Sequence, residues 1–172
     1  MNKLNLNISV EEPGWEQALA NIKHVSETVF EKTVDYVRQH EEIDFLETKK
    51  PLGINLALSN DREVHRLNAE FRHMDKPTNV LSFANIDDPG FEDSLPLCAE
   101  IELGDIIIAL ETMQREAGEK EISLHDHYCH LLTHGILHLL GFDHMEDDEA
   151  EYMESFEIEI LAGLNVKNPY EE

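Results

Sequence analysis

The stretch Ser123–His144, SLHDHYCHLLTHGILHLLGFDH, constrains this chain more than any other segment. Its residues 123–140 read as one helix that stops at Gly141, a residue suited to the first position past a helix end. His134 and His138 stand at i and i+4, so both imidazoles leave the same face on successive turns. Gly141 lets the chain reverse, and His144 then swings back toward the pair. The whole pattern, His134-x-x-x-His138-x-x-Gly141-x-x-His144, has the ligand spacing of H-E-x-x-H-x-x-G-x-x-H zinc sites. Three neutral imidazoles with a fourth position left for water describe a catalytic zinc centre rather than a closed structural one. One Zn2+ per chain is therefore expected, on His134, His138 and His144. A fold for this sequence has to be built around that helix.

One departure bears on the chemistry. The peptidase version of this pattern needs a Glu directly after the first His as general base, and here that position is Gly135. Zinc would still lower the pKa of a bound water to about 7, but the proton acceptor must come from elsewhere or be a phosphate oxygen. His130 lies one turn upstream on the same stripe, placed to orient a ligand or meet substrate. His125 and His127 fall in the expected exposed start of the helix and receive no role.

The remaining periodicities place the other elements. Residues 3–10 alternate as a strand, and 15–38 carry apolar residues at helical spacing as a single helix. Leu52–Leu58 reads as a second strand. Asn60 caps a helix from Asp61 to about Arg72, with Glu63 in the capping-box position. A turn around Asp75-Lys76-Pro77 leads to a short strand, Val80–Phe83. Residues 85–99, with two prolines, a glycine and four acids, read as a mobile loop. Ile101–Leu110 is a strand interrupted at Gly104-Asp105, followed by a helix over 110–117. A last helix, 147–162, is expected to bury Tyr152, Phe156, Ile160 and Leu161.

With 172 residues, 41% of them hydrophobic, the chain is long enough for a real core without disulfides. A single domain, 1–172, is expected. No run of about 18 apolar residues occurs, and the N-terminus lacks an apolar signal region. With only Cys98 and Cys129, both expected as buried thiols, a cytoplasmic location and no membrane partner are the reading. The net charge of −24 argues against general nucleic-acid binding, which relies on Lys and Arg against phosphates. The cations are not spread evenly, however. Arg62, Arg66, Arg72 and Lys76 gather in 62–76 against Glu63, Glu70 and Asp75, while 143–159 holds nine acids (Asp143, Glu146, Asp147, Asp148, Glu149, Glu151, Glu154, Glu157 and Glu159) and no Lys or Arg. A polyanion would approach the first segment and avoid the second.

The string His134-Gly135-Ile136-Leu137-His138-Leu139-Leu140-Gly141-Phe142-Asp143-His144 resembles the H-G-x-L-H-L-x-G-[YF]-D-H motif of the YbeY endoribonucleases, the bacterial rRNA maturation factors. Three further segments are similar to that family in the same order: Leu67-Asn68 to Phe71-Arg72, Pro77-Thr78-Asn79-Val80-Leu81-Ser82-Phe83, and Leu103-Gly104-Asp105-Ile106. The resemblance runs from about residue 56 to 162. Phe142 stands where Tyr is usual, and Ala109 where Ser or Cys is usual. The resemblance implies cleavage of single-stranded RNA, linked to 16S rRNA 3′-end maturation and ribosome quality control. It implies zinc on the three histidines and Arg72 facing the metal across a cleft. Partners implied are the 16S rRNA precursor, the ribosome or a small-subunit ribosomal protein, and an assembly GTPase.

A guanidinium suits phosphate binding because it is always charged and forked. Its plain alternative is a salt bridge to Glu70 or Asp75. Arg62, Arg66 and Lys76 would extend the phosphate track, or pair with nearby acids on a solvated helix. Asp143 either caps the turn or accepts from a ligand imidazole. Asp105, in an apolar strand, either bonds backbone in a buried structural role or orients a ligand histidine. The expected fold is α+β: a small mixed sheet of about four strands packed with about five helices, the metal-motif helix central. Two rivals remain: a non-enzymatic ribosome-assembly factor with structural zinc, and another zinc hydrolase such as a peptidase.

Overall fold

The computed structural model describes residues 2–76 and 78–171, so Pro77 of the expected turn lies outside the described residues. Four strands, β1 (Leu4–Val10), β2 (Leu52–Ser59), β3 (Val80–Ala84) and β4 (Ile101–Ala109), form one sheet in the order β1-β2-β4-β3. β1 and β4 each run parallel to β2, and β3 is antiparallel to β4, so the sheet is mixed as expected. The helices, in chain order, are α1 (Gly14–Ala18), α2 (Ile22–His40), α3 (Asp44–Glu47), α4 (Asp61–Arg72), α5 (Phe91–Ser94), α6 (Leu110–Lys120), α7 (Leu124–Leu139) and α8 (Asp147–Gly163). The five long ones are α2, α4, α6, α7 and α8. None is long and apolar enough to cross a membrane.

The two faces of the sheet are covered unequally. Leu52, Ile54, Leu56, Leu58, Ile101, Leu103, Ile106 and Ile108 point into the main core, where they meet Val29, Phe30 and Val37 of α2 and Leu132 and Ile136 of α7. α8 packs on α7 and α2 from outside. On the other face, Leu81, Ile107 and Ala109 meet only α4, through Val64 and Leu67. α7 is thus enclosed by α2, α6, α8 and the β3–β4 edge of the sheet.

β4 is bent at the expected interruption. Gly53 pairs with Glu102 and Ile54 with Gly104, which leaves Leu103 as the extra residue of a bulge. Gly104 has φ +141°, and a Cβ there would lie 2.1 Å from the Phe83 carbonyl oxygen, so the close approach of β3 requires glycine. The bulge resets the alternation. Leu103 and Gly104 are both buried and Asp105 points out on the face opposite Ile106.

Several expectations are corrected. The helix read over 15–38 is two: Leu19 is extended and Asn21 left-handed (φ 55°), a conformation asparagine tolerates, so α1 and α2 are separate. Residues 85–99 are not an open loop. They fold into α5 flanked by two single turns, and Phe91 is buried edge-to-face on Phe45 at 5.6 Å. On α8, Phe156, Ile160 and Leu161 are buried, but Tyr152 is 46% exposed and stacks on Phe142 at the surface. His127 is fully buried, not exposed, and bonds Glu116 at 2.9 Å. Cys129 is buried, which raises its pKa to about 12, and Cys98 is half-buried.

Candidate metal centre and its cleft

α7 begins at Ser123, whose Oγ accepts from the Asp126 amide at 3.0 Å. It is fixed by burial on nearly every side, Leu132, Ile136, Leu137 and Leu139 being inaccessible. Its Tyr128 hydroxyl meets Ser26 Oγ on α2 at 2.6 Å inside the core. At the other end the chain closes with two crossed bonds: the Phe142 amide donates to Leu137 O and the Gly141 amide to His138 O, both at 3.0 Å. Gly141 has φ +104°. This is the Schellman arrangement, and it reverses the chain within two residues. Asp143 Oδ1 then accepts from the His144 amide at 2.7 Å, the capping alternative for that residue.

The consequence is that three imidazoles converge. Ring centroids lie 4.6 Å apart for His134–His138, 4.9 Å for His138–His144 and 5.3 Å for His134–His144. One ring nitrogen from each lies within 4.8 Å of the other two. The Nε2 atoms of His134 and His138 are 3.1 Å apart, close to the ~3.3 Å that two ligands ~2.05 Å from a tetrahedral zinc would show. Burial first, and then its neighbours His134 and His144, push the His138 pKa down to about 4. The imidazole is thereby kept neutral near pH 7, as a metal ligand must be. The donor set therefore fits a zinc-type cation.

His138 and His144 line a cleft of about 260 Å³ whose lining also includes Arg72, Ser82, Asp87 and Asp143. Arg72 ends α4, and its Nη2 donates to the Ser82 carbonyl at 3.3 Å. Among the described residues it forms no ion pair. Its expected competitors are engaged elsewhere, Glu70 with Arg66 and Asp75 with His65. Arg66 is held between Glu63 at 2.6 Å and Glu70 at 2.9 Å, the solvated-helix alternative, and so is neutralised. Arg62 and Lys76 are exposed.

Asp105 belongs neither to this cleft nor to the core. It is exposed on the opposite sheet face and accepts from Asn55 Nδ2 at 3.0 Å. Neither alternative considered for it from sequence holds, because the bulge at Leu103 fixes which face it takes. It lines a shallow hollow of about 500 Å³ with Asn7, Asn55, Phe71 and Phe83. Gly135 faces the sheet. A Cβ there would come within 3.2 Å of the Ile106 and Ser82 side chains, so any larger residue would make those neighbours shift.

One residue of the site escaped the sequence reading. Glu157 counts there among the acids of the 143–159 face, yet it is completely buried. Its Oε2 accepts from His134 Nδ1 at 3.0 Å, and its Oε1 meets His130 Nε2 and the Tyr170 hydroxyl, each at 2.6 Å. Burial alone would raise its pKa, but the bonds from His130 and His134 outweigh that and hold it at about 2. The available signal was its place in the apolar stripe Met153–Phe156–Ile160.

Residues 15–165 match the family model described as Endoribonuclease YbeY. The chain is 43% identical over 170 residues to the Endoribonuclease YbeY of Agrobacterium fabrum, covering 99% of this chain and 96% of that one. It is 42% identical to that of Sinorhizobium fredii, covering 99% and 94%. The solution structure of TM1509 from Thermotoga maritima superposes with a TM-score of 0.53, covering 97% of this chain and 99% of that one. At 21% identity it speaks to the fold alone.

Proposed function

Since the chain belongs to the Endoribonuclease YbeY family, we propose that it is a zinc-dependent endoribonuclease cutting single-stranded RNA, acting in 16S rRNA 3′-end maturation and ribosome quality control. The observation that carries this is the convergence of three imidazoles, two of which, His138 and His144, share a cleft with Arg72. In this reading residues 1–172 form one catalytic domain that works in the cytoplasm on the ribosome, with a small-subunit ribosomal protein and an assembly GTPase as partners.

His134, His138 and His144 would hold zinc, which when bound supplies Lewis acidity toward water and phosphoryl oxygen. The chain's own contribution is positional. The Schellman turn holds His144 against the helix pair, so the three donors are preorganised. Arg72 binds a non-bridging oxygen of the scissile or neighbouring phosphate and offsets the charge that develops there. Arg62 and Lys76 extend the path for flanking phosphates. With Gly135 packed on Ile106 and Ser82, no side chain at 135 takes the proton, and the acceptor comes from elsewhere in the cleft or is a phosphate oxygen of the substrate.

The test combines metal content by mass spectrometry with cleavage of a labelled single-stranded RNA, on wild type and His134→Ala. About one zinc per chain, lost together with cleavage in the variant, is the expected result. Zinc present with no cleavage by any preparation would favour the assembly-factor reading, which the −24 charge also suits, since basic ribosomal proteins attract such a body. Cleavage of casein lost in His138→Ala would favour a peptidase.

A further inference from the structure

The buried carboxylate behind the histidines has a specific job. We propose that Glu157 is the positioning residue of the metal centre. It fixes His134 as the Nδ1–H tautomer, with the Nε2 lone pair aimed at the metal, and is itself anchored by His130 and by Tyr170. The inference rests on the metal reading of His134, His138 and His144 given above.

The geometry leaves little freedom. Glu157 Oε2 lies 3.0 Å from His134 Nδ1, and a carboxylate can only accept, so the ring must carry its proton on Nδ1. That is the opposite of a free imidazole's usual preference, and it leaves Nε2 unprotonated beside His138 Nε2 at 3.1 Å. The other oxygen, Oε1, receives His130 Nε2 and the Tyr170 hydroxyl, each at 2.6 Å. These two donors come from different places. His130 is one turn upstream on α7, while Tyr170 arrives from the segment after α8 and packs edge-to-face on the His130 ring at 5.5 Å. The carboxylate is therefore clamped on both oxygens before any metal arrives, and the His134 ring cannot rotate without breaking a buried charged bond. Outer partners of this kind raise ligand basicity and fix ring orientation, and their loss costs about 10–100-fold in metal affinity. A buried, unpaired glutamate would be costly for stability alone. Its alignment on a ligand's second nitrogen is what a merely structural role would not require.

The experiment uses the full chain, freed of metal, with glutamate 157 changed to the isosteric glutamine and, separately, to alanine. Long-range proton–nitrogen NMR correlation on 15N-histidine protein reads the tautomer of His134 directly. Zinc affinity is read by competition with a chromophoric chelator, and Co2+ absorption reports ligand geometry. Wild type should show Nδ1–H at His134. Glu157→Ala should mix the tautomers and weaken zinc about 10–100-fold, with Glu157→Gln intermediate and Tyr170→Phe milder still. Circular dichroism selects the variants that remain folded, and Glu157→Gln preserves shape if alanine does not fold. An Nε2–H His134 in wild type, or wild-type zinc affinity in folded Glu157→Gln and Glu157→Ala, would overturn the inference while leaving the metal site standing. A wild type that binds no zinc would overturn the metal reading itself.

Discussion

Arg72 touches its surroundings through one backbone carbonyl, Ser82 O at 3.3 Å, and leaves the rest of its guanidinium to the cleft. Among the described residues it forms no ion pair, although Asp87 and Asp143 line the same cleft, and the chain as a whole carries a charge of −24. In the proposed function this arginine is the group that draws a phosphate to this wall. Arg72→Ala should lower single-stranded RNA cleavage by about 10²–10³-fold, the loss typical of removing one preorganised charge-stabilising donor. Zinc content and melting temperature should stay at wild-type values, since the side chain is exposed and bears on neither. Arg72→Lys should recover only part of the rate, because an ammonium lacks the planar fork. Equal cleavage in all three proteins would remove Arg72 from the site. At this scale the sequence was informative where spacing dictates geometry: the i, i+4 pair and Gly141 bring His134, His138 and His144 together. It was silent where burial decides. Nothing in the acidic run marks Glu157 except its apolar neighbours, and Asp105 takes its face from a one-residue bulge that alternation alone does not reveal.

α7 is held as an element by polar contacts inside the core as well as by its apolar stripe. Ser26 Oγ donates to Ile22 O at 2.6 Å and accepts from Tyr128 OH at 2.6 Å, so each hydroxyl depends on the other. Ser26→Ala should destabilise the fold by about 1–3 kcal/mol, the cost of a buried donor left unpaired. Adding Tyr128→Phe to it should recover part of that in urea unfolding, since the orphaned hydroxyl is then gone. The α6–α7 contact has a pH signature. Burial lowers the pKa of His127 below its ordinary value of 6.5. Glu116, raised by burial but lowered more by bonds from His127 and Asn79, ends below its ordinary 4.5. Both groups bind fewer protons folded than unfolded, so stability falls as pH drops below about 6.5, first through His127 and then, below about 4.5, through Glu116. Thermal midpoints measured from pH 7.5 down to 5 should fall, and His127→Gln should flatten the upper part of that decline. An unchanged slope in the variant would place the acid sensitivity elsewhere. The strands, α4 with its Asn60 cap, and the long helices were legible because periodicity and caps are local. The break between α1 and α2 was not, since the apolar spacing continues across a left-handed Asn21, and 85–99 looked open because its order rests on contacts with residues distant in sequence, among them Phe91 on Phe45 and Asn85 on the Glu102 carbonyl.

Across the whole molecule, the candidate metal centre sits at the margin of the packed core. Its three histidines lie on the last turns of α7 and the turn beyond, half-buried for His134 and His138 and exposed for His144. The core that holds α7 consists of Leu132, Ile136 and Leu137 packed on the sheet and α2, and it is complete without them. Removing zinc should therefore not unfold the chain. Chelator-treated protein is expected to keep its helical circular dichroism and to melt in a single cooperative step. Its stability should be lower by the binding linkage alone, about 2.7 kcal/mol relative to protein held at 100 times the dissociation constant. Loss of the divalent charge also leaves more self-repulsion in a body of net charge −24, concentrated along 143–159 beside the site. Salt should then raise the apo midpoint more than the zinc-loaded one, because the screening length shrinks from about 30 Å at 0.01 M to about 8 Å at 0.15 M. A coil-like spectrum on chelation would instead make zinc part of what holds the fold together. It would move the protein toward the assembly-factor reading, in which the acidic surface rather than the cleft makes contact with the ribosome.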